Sequence, residues 1–404
     1  MPLSPQHILL YAELLSNIRQ VSVGCTLPTP VSETTKATVA SDGRSLTVVH
    51  DGQSQSIRLP GIVVSLPLTI QRTGGTNLSW RLPLSAPPSN VRALHTSEES
   101  VPWSATDLGQ GSAVTCRACR STIVESGTLK VWKDLPSENW AEMMEFWHCH
   151  KPHEHKHSDG DGDEHLANRG YGASSRITAQ SGVGFVDLAS FLLARQDIVE
   201  SSITASTDNT ELTKNESKDL ASSMPGTLHC SSCKQTLGVR NDDISSISLF
   251  KWQVLVKHQA QNTSESAPSL AQCVCAMLLA TMARSGCSKS ILVPIKAGTV
   301  EGLRKLPGLV NIWVFNANIT FSSTESSKPP IHGIKLFYRF VSQQEADKML
   351  DSMTSDVQDI SLPSDAIMII AELLEESTRL VPESDRKFQQ WKVGLLEKWD
   401  GKGG

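Results

Sequence analysis

No stretch of this 404-residue chain approaches the roughly 18 consecutive apolar residues that a membrane-spanning helix requires, so no such helix is expected. The opening MPLSPQHILLYAELL has no basic region ahead of its apolar residues and no small-residue cleavage site, which argues against a secretory leader. Positive charge is not in excess either. With 37 Lys and Arg against 42 Asp and Glu, the net charge is -5, and the chain offers no broad electrostatic attraction for nucleic acid. Apolar residues are sparse at 39%, with 20% charged, and Ser/Thr-rich stretches take up the difference.

Cysteine is better represented. There are nine, an odd number, and four of them fall in two Cys-x-x-Cys pairs. Together with the missing leader, this pattern suits a reducing compartment and metal ligation rather than disulfides. A cytoplasmic and nuclear location is the resulting expectation. The length allows about two or three domains. The expected division is a β-rich segment 1–115, a zinc-binding middle region 116–240 and an α+β segment 241–404.

From residue 8 to 84 the signals are those of strands and tight turns. Residues 46–49 and 56–59 flank Asp51-Gly52, a hairpin signature, and 61–70 is rich in Val, Ile and Leu. Asp42-Gly43 and Gly74-Gly75 mark further turns. An antiparallel sheet or sandwich continuing through residues 78–84 is the natural reading.

The most informative stretch is 135–150, LPSENWAEMMEFWHCH. Ser137 can cap a helix beginning at Glu138, because its side-chain oxygen accepts from free N–H groups of the first turn. Trp140, Met143, Met144 and Trp147 fall at i, i+3, i+4 and i+7 and make one apolar face. Pro152 disfavours helical geometry at Lys151, so the helix should end at about 148–150, presenting His148, Cys149 and His150.

On either side of this stretch lie Cys116-Arg117-Ala118-Cys119 and Cys230-Ser231-Ser232-Cys233, the latter followed by Gly238. Each spacing lets two thiolates of one tight turn reach a single zinc. Two such knuckles make one four-cysteine site, with Cys116, Cys119, Cys230 and Cys233 as ligands and a structural role, since four thiolates leave no open position for substrate. Between them lie His153, His155 and His157, then Asp159-Gly160-Asp161-Gly162-Asp163. The acidic piece fails as a calcium loop, because its sixth position is Glu164 and its twelfth is Gly170. A solvated loop is expected there, and a second flexible insertion at 201–226.

These elements in this order resemble the HECT-like ubiquitin-conjugating-enzyme-binding family. Its marks are an early Cys-x-x-Cys (Cys116, Cys119), a Leu-Pro-Ser-x-x-Trp helix (Leu135 and Trp140) ending in Trp-x-Cys-His (Trp147, Cys149, His150), and a late Cys-x-x-Cys (Cys230, Cys233). Residues 79–84, SWRLPL, and a C-terminal helix carrying Trp391-Lys392-Val393 also look like family features. The resemblance implies a ubiquitin ligase that binds a ubiquitin-conjugating enzyme and carries ubiquitin as a thioester. It also implies a link to messenger-RNA 3'-end cleavage and polyadenylation, through the metallo-β-lactamase-type endonuclease of that machinery.

Beyond Gly238, strands are expected at 248–256, 291–295, 309–321 and 334–340, and helices at 268–284, 343–353, 365–377 and 383–399. In the last, Phe388, Trp391, Leu395 and Trp399 recur at helical spacing. The chain as a whole reads as α+β.

Two functions compete. One is a binding or assembly factor, a chaperone for the endonuclease, that meets it through Trp140, Trp147, His148, Cys149 and His150; thiolate and imidazole both bind zinc well. The other is a ubiquitin-protein ligase with Cys149 as candidate nucleophile, since a thiol beside imidazoles can have a lowered pKa. Cys149 could equally supplement the zinc site or pack beside Trp147. Cys273 and Cys275 sit in a helical pattern and read as buried, while Cys25 and Cys287 have no partner base. Zinc is the cofactor expected; the endonuclease, a ubiquitin-conjugating enzyme and ubiquitin are the partners.

Overall fold

The first strand, β1 (Leu9–Leu15), is buried on both faces, and it brings the two ends of the chain into one sheet. The computed structural model describes residues 7–70, 74–85, 101–135, 178–206, 226–241, 245–257, 267–295, 306–326, 328, 330–352 and 356–401. β1 pairs antiparallel with β2 (Gln20–Thr26). β3 (Lys36–Val39), β4 (Ser45–His50) and β5 (Gln53–Arg58) form a separate three-stranded sheet, and β6 (Asn77–Pro83) joins β2. Alternation explains the packing. Leu78, Trp80 and Leu82 of β6 and Val21, Val23 and Cys25 of β2 meet Leu46, Val48 and Ile57 of the smaller sheet in one core. The β4–β5 hairpin turns at Asp51 and Gly52, both at positive φ (47° and 81°), as a two-residue turn matched to strand twist requires.

Residues 61–70 are not a strand. Their one β-bridge is an isolated one between Val63 and Leu84, because Pro60 ahead of the apolar run and Pro67 within it remove ladder donors.

The middle of the chain supplies β7 (Ala113–Cys116), β8 (Thr122–Val124), β9 (Val131–Asp134), β10 (Val183–Val186), β11 (Ser190–Ala194), β12 (Ile203–Ser206), β13 (Gly226–Cys230), β14 (Thr236–Asn241), β15 (Ser246–Phe250) and β16 (Val254–Lys257). β12-β13-β14-β15-β11-β10-β9 is a seven-stranded sheet, and β16-β7-β8 a three-stranded one. Phe191, Leu193, Ile247, Leu249, Ile123 and Val124, all fully buried, knit the two sheets together. Lys251 is also fully buried. Its ammonium donates to the carbonyls of Pro102 (2.5 Å), Trp103 (3.2 Å) and Leu188 (3.4 Å), so its charge is met by three backbone dipoles.

The C-terminal part returns to the first sheet through helix α1 (Leu270–Ser285), β17 (Lys289–Pro294), β18 (Leu309–Ser323), β19 (Ile331–Val341), α2 (Gln343–Leu350), β20 (Val357–Leu362), α3 (Ser364–Thr378), β21 (Lys387–Phe388) and β22 (Trp391–Glu397). β18 pairs with β1, β17 and β19, so the first and last thirds of the chain share nine strands. The chain therefore groups as two units, residues 1–100 with 270–400, and residues 101–269. This grouping differs from three consecutive segments because strand pairing, rather than sequence proximity, decides it.

The helix expected at 383–399 is a strand. Gln389 adopts φ 54° in the tight turn between β21 and β22, and β22 then pairs with β19 from Gly333 to Tyr338. Trp391, Val393 and Leu395 alternate as readily as Trp391, Leu395 and Trp399 recur every turn, and the long-range ladder selects the strand. The family segment Trp391-Lys392-Val393 is thus strand as well.

Candidate metal centre

Each Cys-x-x-Cys pair is the turn of a hairpin. Cys116 ends β7 and Cys230 ends β13, so both first cysteines are fixed in a ladder and fully buried. The chain then reverses in the same way twice. Arg120 N–H donates to the Cys116 carbonyl (2.9 Å) and Lys234 N–H to the Cys230 carbonyl (2.9 Å). Cys116 N–H donates to the Ser121 carbonyl and Cys230 N–H to the Gln235 carbonyl, again at 2.9 Å. Arg120 and Lys234, the equivalent residues, both take the left-handed conformation, at φ 65° and 63°. The second cysteines, Cys119 and Cys233, stand at the exposed rim.

All four sulfurs lie within 4.8 Å of one another. Cys116 Sγ is 3.7 Å from Cys233 Sγ and Cys119 Sγ is 3.5 Å from Cys230 Sγ, so the two knuckles interleave. Bonds of about 2.3 Å at tetrahedral angles around zinc put sulfurs about 3.8 Å apart, and a disulfide would need about 2.05 Å. The arrangement therefore fits one tetrahedral ion of the thiolate-preferring kind. The hydroxyl and backbone N–H of Ser121 hold the Cys119 thiol down to about 6, whereas burial pushes Cys116 up to about 12. A bound cation would favour the thiolate at both. Ser121 Oγ also donates to Ser232 Oγ (2.9 Å), linking one turn to the other. Arg117 fastens the first knuckle to the carbonyls of Trp252 (3.3 Å) and Pro268 (2.8 Å).

The structure thus brings together Cys116, Cys119, Cys230 and Cys233. Trp140, Trp147, His148, Cys149 and His150, and the histidine and acidic runs that follow, lie outside the described residues; Leu135, at the start of that stretch, is described and donates to the Val186 carbonyl (2.8 Å). Among the remaining cysteines, Cys25, Cys273 and Cys275 are buried in the core, and burial pushes Cys25 and Cys275 up to about 12. Cys287 is half-buried beside the Ser285 carbonyl (3.6 Å). No helix among the described residues is long and apolar enough to cross a membrane.

Sequence reasoning missed two features. Ser121 and Ser232 gave no signal beyond lying in polar turns. The second is Asn311, a lone polar residue in the apolar run LVNIWVF of β18, buried with its Oδ1 unpaired among the described residues. That interruption was visible in the sequence.

An uncharacterized protein of Schizosaccharomyces pombe is 28% identical to this chain over 352 residues, spanning 83% of this chain and 89% of that protein. An uncharacterized protein of Saccharomyces cerevisiae is 34% identical over 83 residues, 19% of this chain and 23% of that protein. No solved structure matches significantly. Residues 13–393 match the model of the HECT-like ubiquitin-conjugating enzyme (E2)-binding family, and the chain belongs to that family.

Proposed function

We propose that this protein binds a ubiquitin-conjugating enzyme, and that a structural zinc held by Cys116, Cys119, Cys230 and Cys233 closes its middle unit. The family match across residues 13–393 carries the binding reading. The interleaved thiols carry the metal reading, since four soft ligands at this spacing suit zinc and leave no position for substrate.

The cysteines also bear on how ubiquitin would be handled. A thioester carrier needs an accessible thiol of low pKa. Among the described residues Cys25, Cys273 and Cys275 are buried, Cys116, Cys119, Cys230 and Cys233 belong to the cluster, and Cys287 is half-buried against the Ser285 carbonyl. We assign the carrier role to Cys149, which follows His148 and precedes His150 in the sequence. The resemblance supplies a narrower reading of those residues, contact with the 3'-end-processing endonuclease.

The test is a panel of purified ubiquitin-conjugating enzymes against the full chain, with zinc per chain measured by mass spectrometry. Stable binding of at least one enzyme and about one zinc per chain are expected. Binding of none overturns the reading. The double variant Cys149→Ala, His150→Ala divides the finer alternatives. Loss of a reductant-sensitive ubiquitin adduct marks a carrier, and loss of endonuclease capture with the adduct unaffected marks a partner contact.

A further inference from the structure

The four thiols of the candidate metal centre can be paired in two ways, with opposite consequences for the fold. By sequence they pair within a knuckle, Cys116 with Cys119 and Cys230 with Cys233. By contact they pair between knuckles, Cys119 Sγ with Cys230 Sγ at 3.5 Å and Cys116 Sγ with Cys233 Sγ at 3.7 Å. The turns favour this second pairing. The N–H groups of Ala118 and Cys119 point at Cys116 Sγ, that of Ser121 at Cys119 Sγ and that of Gln235 at Cys233 Sγ. These sulfurs are thus held by the backbone of their own turns and meet the other knuckle with their open sides.

Each contact also joins an unlike pair. Cys119 and Cys233 are exposed, whereas Cys230 and Cys116 are fully buried. A reagent arriving from solvent therefore meets a rim thiol first, and a buried thiol of the other knuckle stands in contact behind it. An accessible thiol poised beside a resolving one is the arrangement that reversible oxidation requires. The hydrogen bond from Ser121 Oγ to Ser232 Oγ (2.9 Å) joins the two rims independently of any ion.

We infer that a hydroperoxide converts this centre into two disulfides between the knuckles, Cys119 to Cys230 and Cys116 to Cys233, releasing the ion while the unit stays closed. The inference rests on the zinc reading above. Cys119 thiolate attacks one peroxide oxygen: an S–O bond forms, the O–O bond breaks, and the departing oxygen takes a proton and leaves as water or alcohol. Cys230 thiolate then attacks Cys119 Sγ, the S–S bond forms, and the sulfenic oxygen leaves as hydroxide, which takes a proton to become water. Two thiolates give up two electrons to one hydroperoxide, and Cys233 with Cys116 consumes a second. A disulfide offers no thiolate, so the ion loses its ligands. The contacts shorten from 3.5 and 3.7 Å to bonds of about 2.05 Å.

Span decides what this does to stability. Disulfides between the knuckles tie residues 111 and 117 apart, closing the same loop that the ion closes. Disulfides within a knuckle would tie residues three apart and leave 116–119 unlinked to 230–233.

The experiment treats the zinc-bearing full chain with about two equivalents of hydrogen peroxide in the presence of a zinc-sensing dye. Disulfides are mapped by non-reducing digestion and tandem mass spectrometry, and melting is compared with that of the untreated protein and of the chelated, reduced protein. About one zinc per chain should be released, with Cys119 linked to Cys230 and Cys116 to Cys233. The oxidised protein should melt within about 2 °C of the zinc form, and the chelated protein about 10–20 °C below it. A parent that carries no zinc overturns the metal reading and this inference together. A parent that carries zinc and keeps it under peroxide, or whose cysteines link in any other pairing, within the knuckles or to Cys149, overturns this inference alone. So does oxidised protein that melts with the chelated sample.

Discussion

Replacing Cys119 and Cys233 together by serine should remove the metal at small packing cost, because these two stand at the exposed rim while Cys116 and Cys230 are fully buried. The magnitude follows from the span of the cross-link. Cys119 and Cys230 are 111 residues apart, and Cys116 and Cys233 are 117 apart. In the chain-entropy model, tying a loop of about 100 residues restricts the unfolded chain by about 4.7 kcal/mol at 25 °C. The second pair adds little, since the loop is already closed. The affected unit is residues 101–269, and for a domain of that size each kcal/mol moves the melting temperature by about 2–4 °C. The double variant should therefore melt about 10–20 °C below the parent and contain no zinc. A chelator should bring the parent to the same point. Calorimetry with zinc analysis on both proteins is the assay. A variant that has lost its metal and still melts within about 2 °C of the parent would falsify the cross-link argument.

Three further substitutions test other joints of the fold. Lys251→Met should cost about 3 kcal/mol, since it leaves the carbonyls of Pro102, Trp103 and Leu188 without their donor in a buried position; denaturant titration with an unchanged midpoint would contradict this. Gly238→Ala places a Cβ 1.9 Å from the Ser248 carbonyl oxygen, a clash with backbone that no rotamer relieves, and a loss of about 3 kcal/mol or a failure to fold is expected in melting experiments. The hydroxyls of Thr34, Ser32 and Thr29 hold Asp51 at about 2 rather than the ordinary 3.8. The folded protein thus binds this proton less readily than the unfolded chain, so the contribution is complete above about pH 4 and disappears as pH falls through about 2. Asp51→Asn should flatten acid-induced unfolding in that window, and superimposable acid curves would remove Asp51 from the account.

Local chemistry makes parts of this molecule legible in the sequence. Asp51-Gly52 reads as a turn because both residues must take positive φ, and Cys-x-x-Cys reads as a knuckle because the reversal itself aims both sulfurs one way. The helices at 270–285 and 364–378 follow from apolar periodicity over four turns. What was hidden depends on partners distant in sequence. Trp391 satisfies helical and strand spacing alike until β19 is alongside. Nothing near Leu9 announces that its strand will pair with residues 320–323. Asn311 shows in the sequence as a polar interruption, but only the ladder sets it across from Arg339.

The pairing of β9 with β10 gives the cross-link a mechanical role. These strands are parallel, with Val131 opposite Val183 and Asp134 opposite Val186, so the segment joining them leaves at one end of the pair and re-enters at the other. Both ends are tied. Leu135 N–H donates to the Val186 carbonyl and Lys130 N–H to the Gly182 carbonyl, each at 2.8 Å. Buried Asp197 then fixes the re-entry point, accepting from Gly182 N–H and Ser181 Oγ. The two knuckles bracket this segment in sequence, one before β9 and one after β12. Opening the knuckles removes the cross-link between the chain before β9 and the chain after β12. The knuckles join the seven-stranded sheet, which holds β9, β10 and Cys230, to the three-stranded sheet, which holds Cys116.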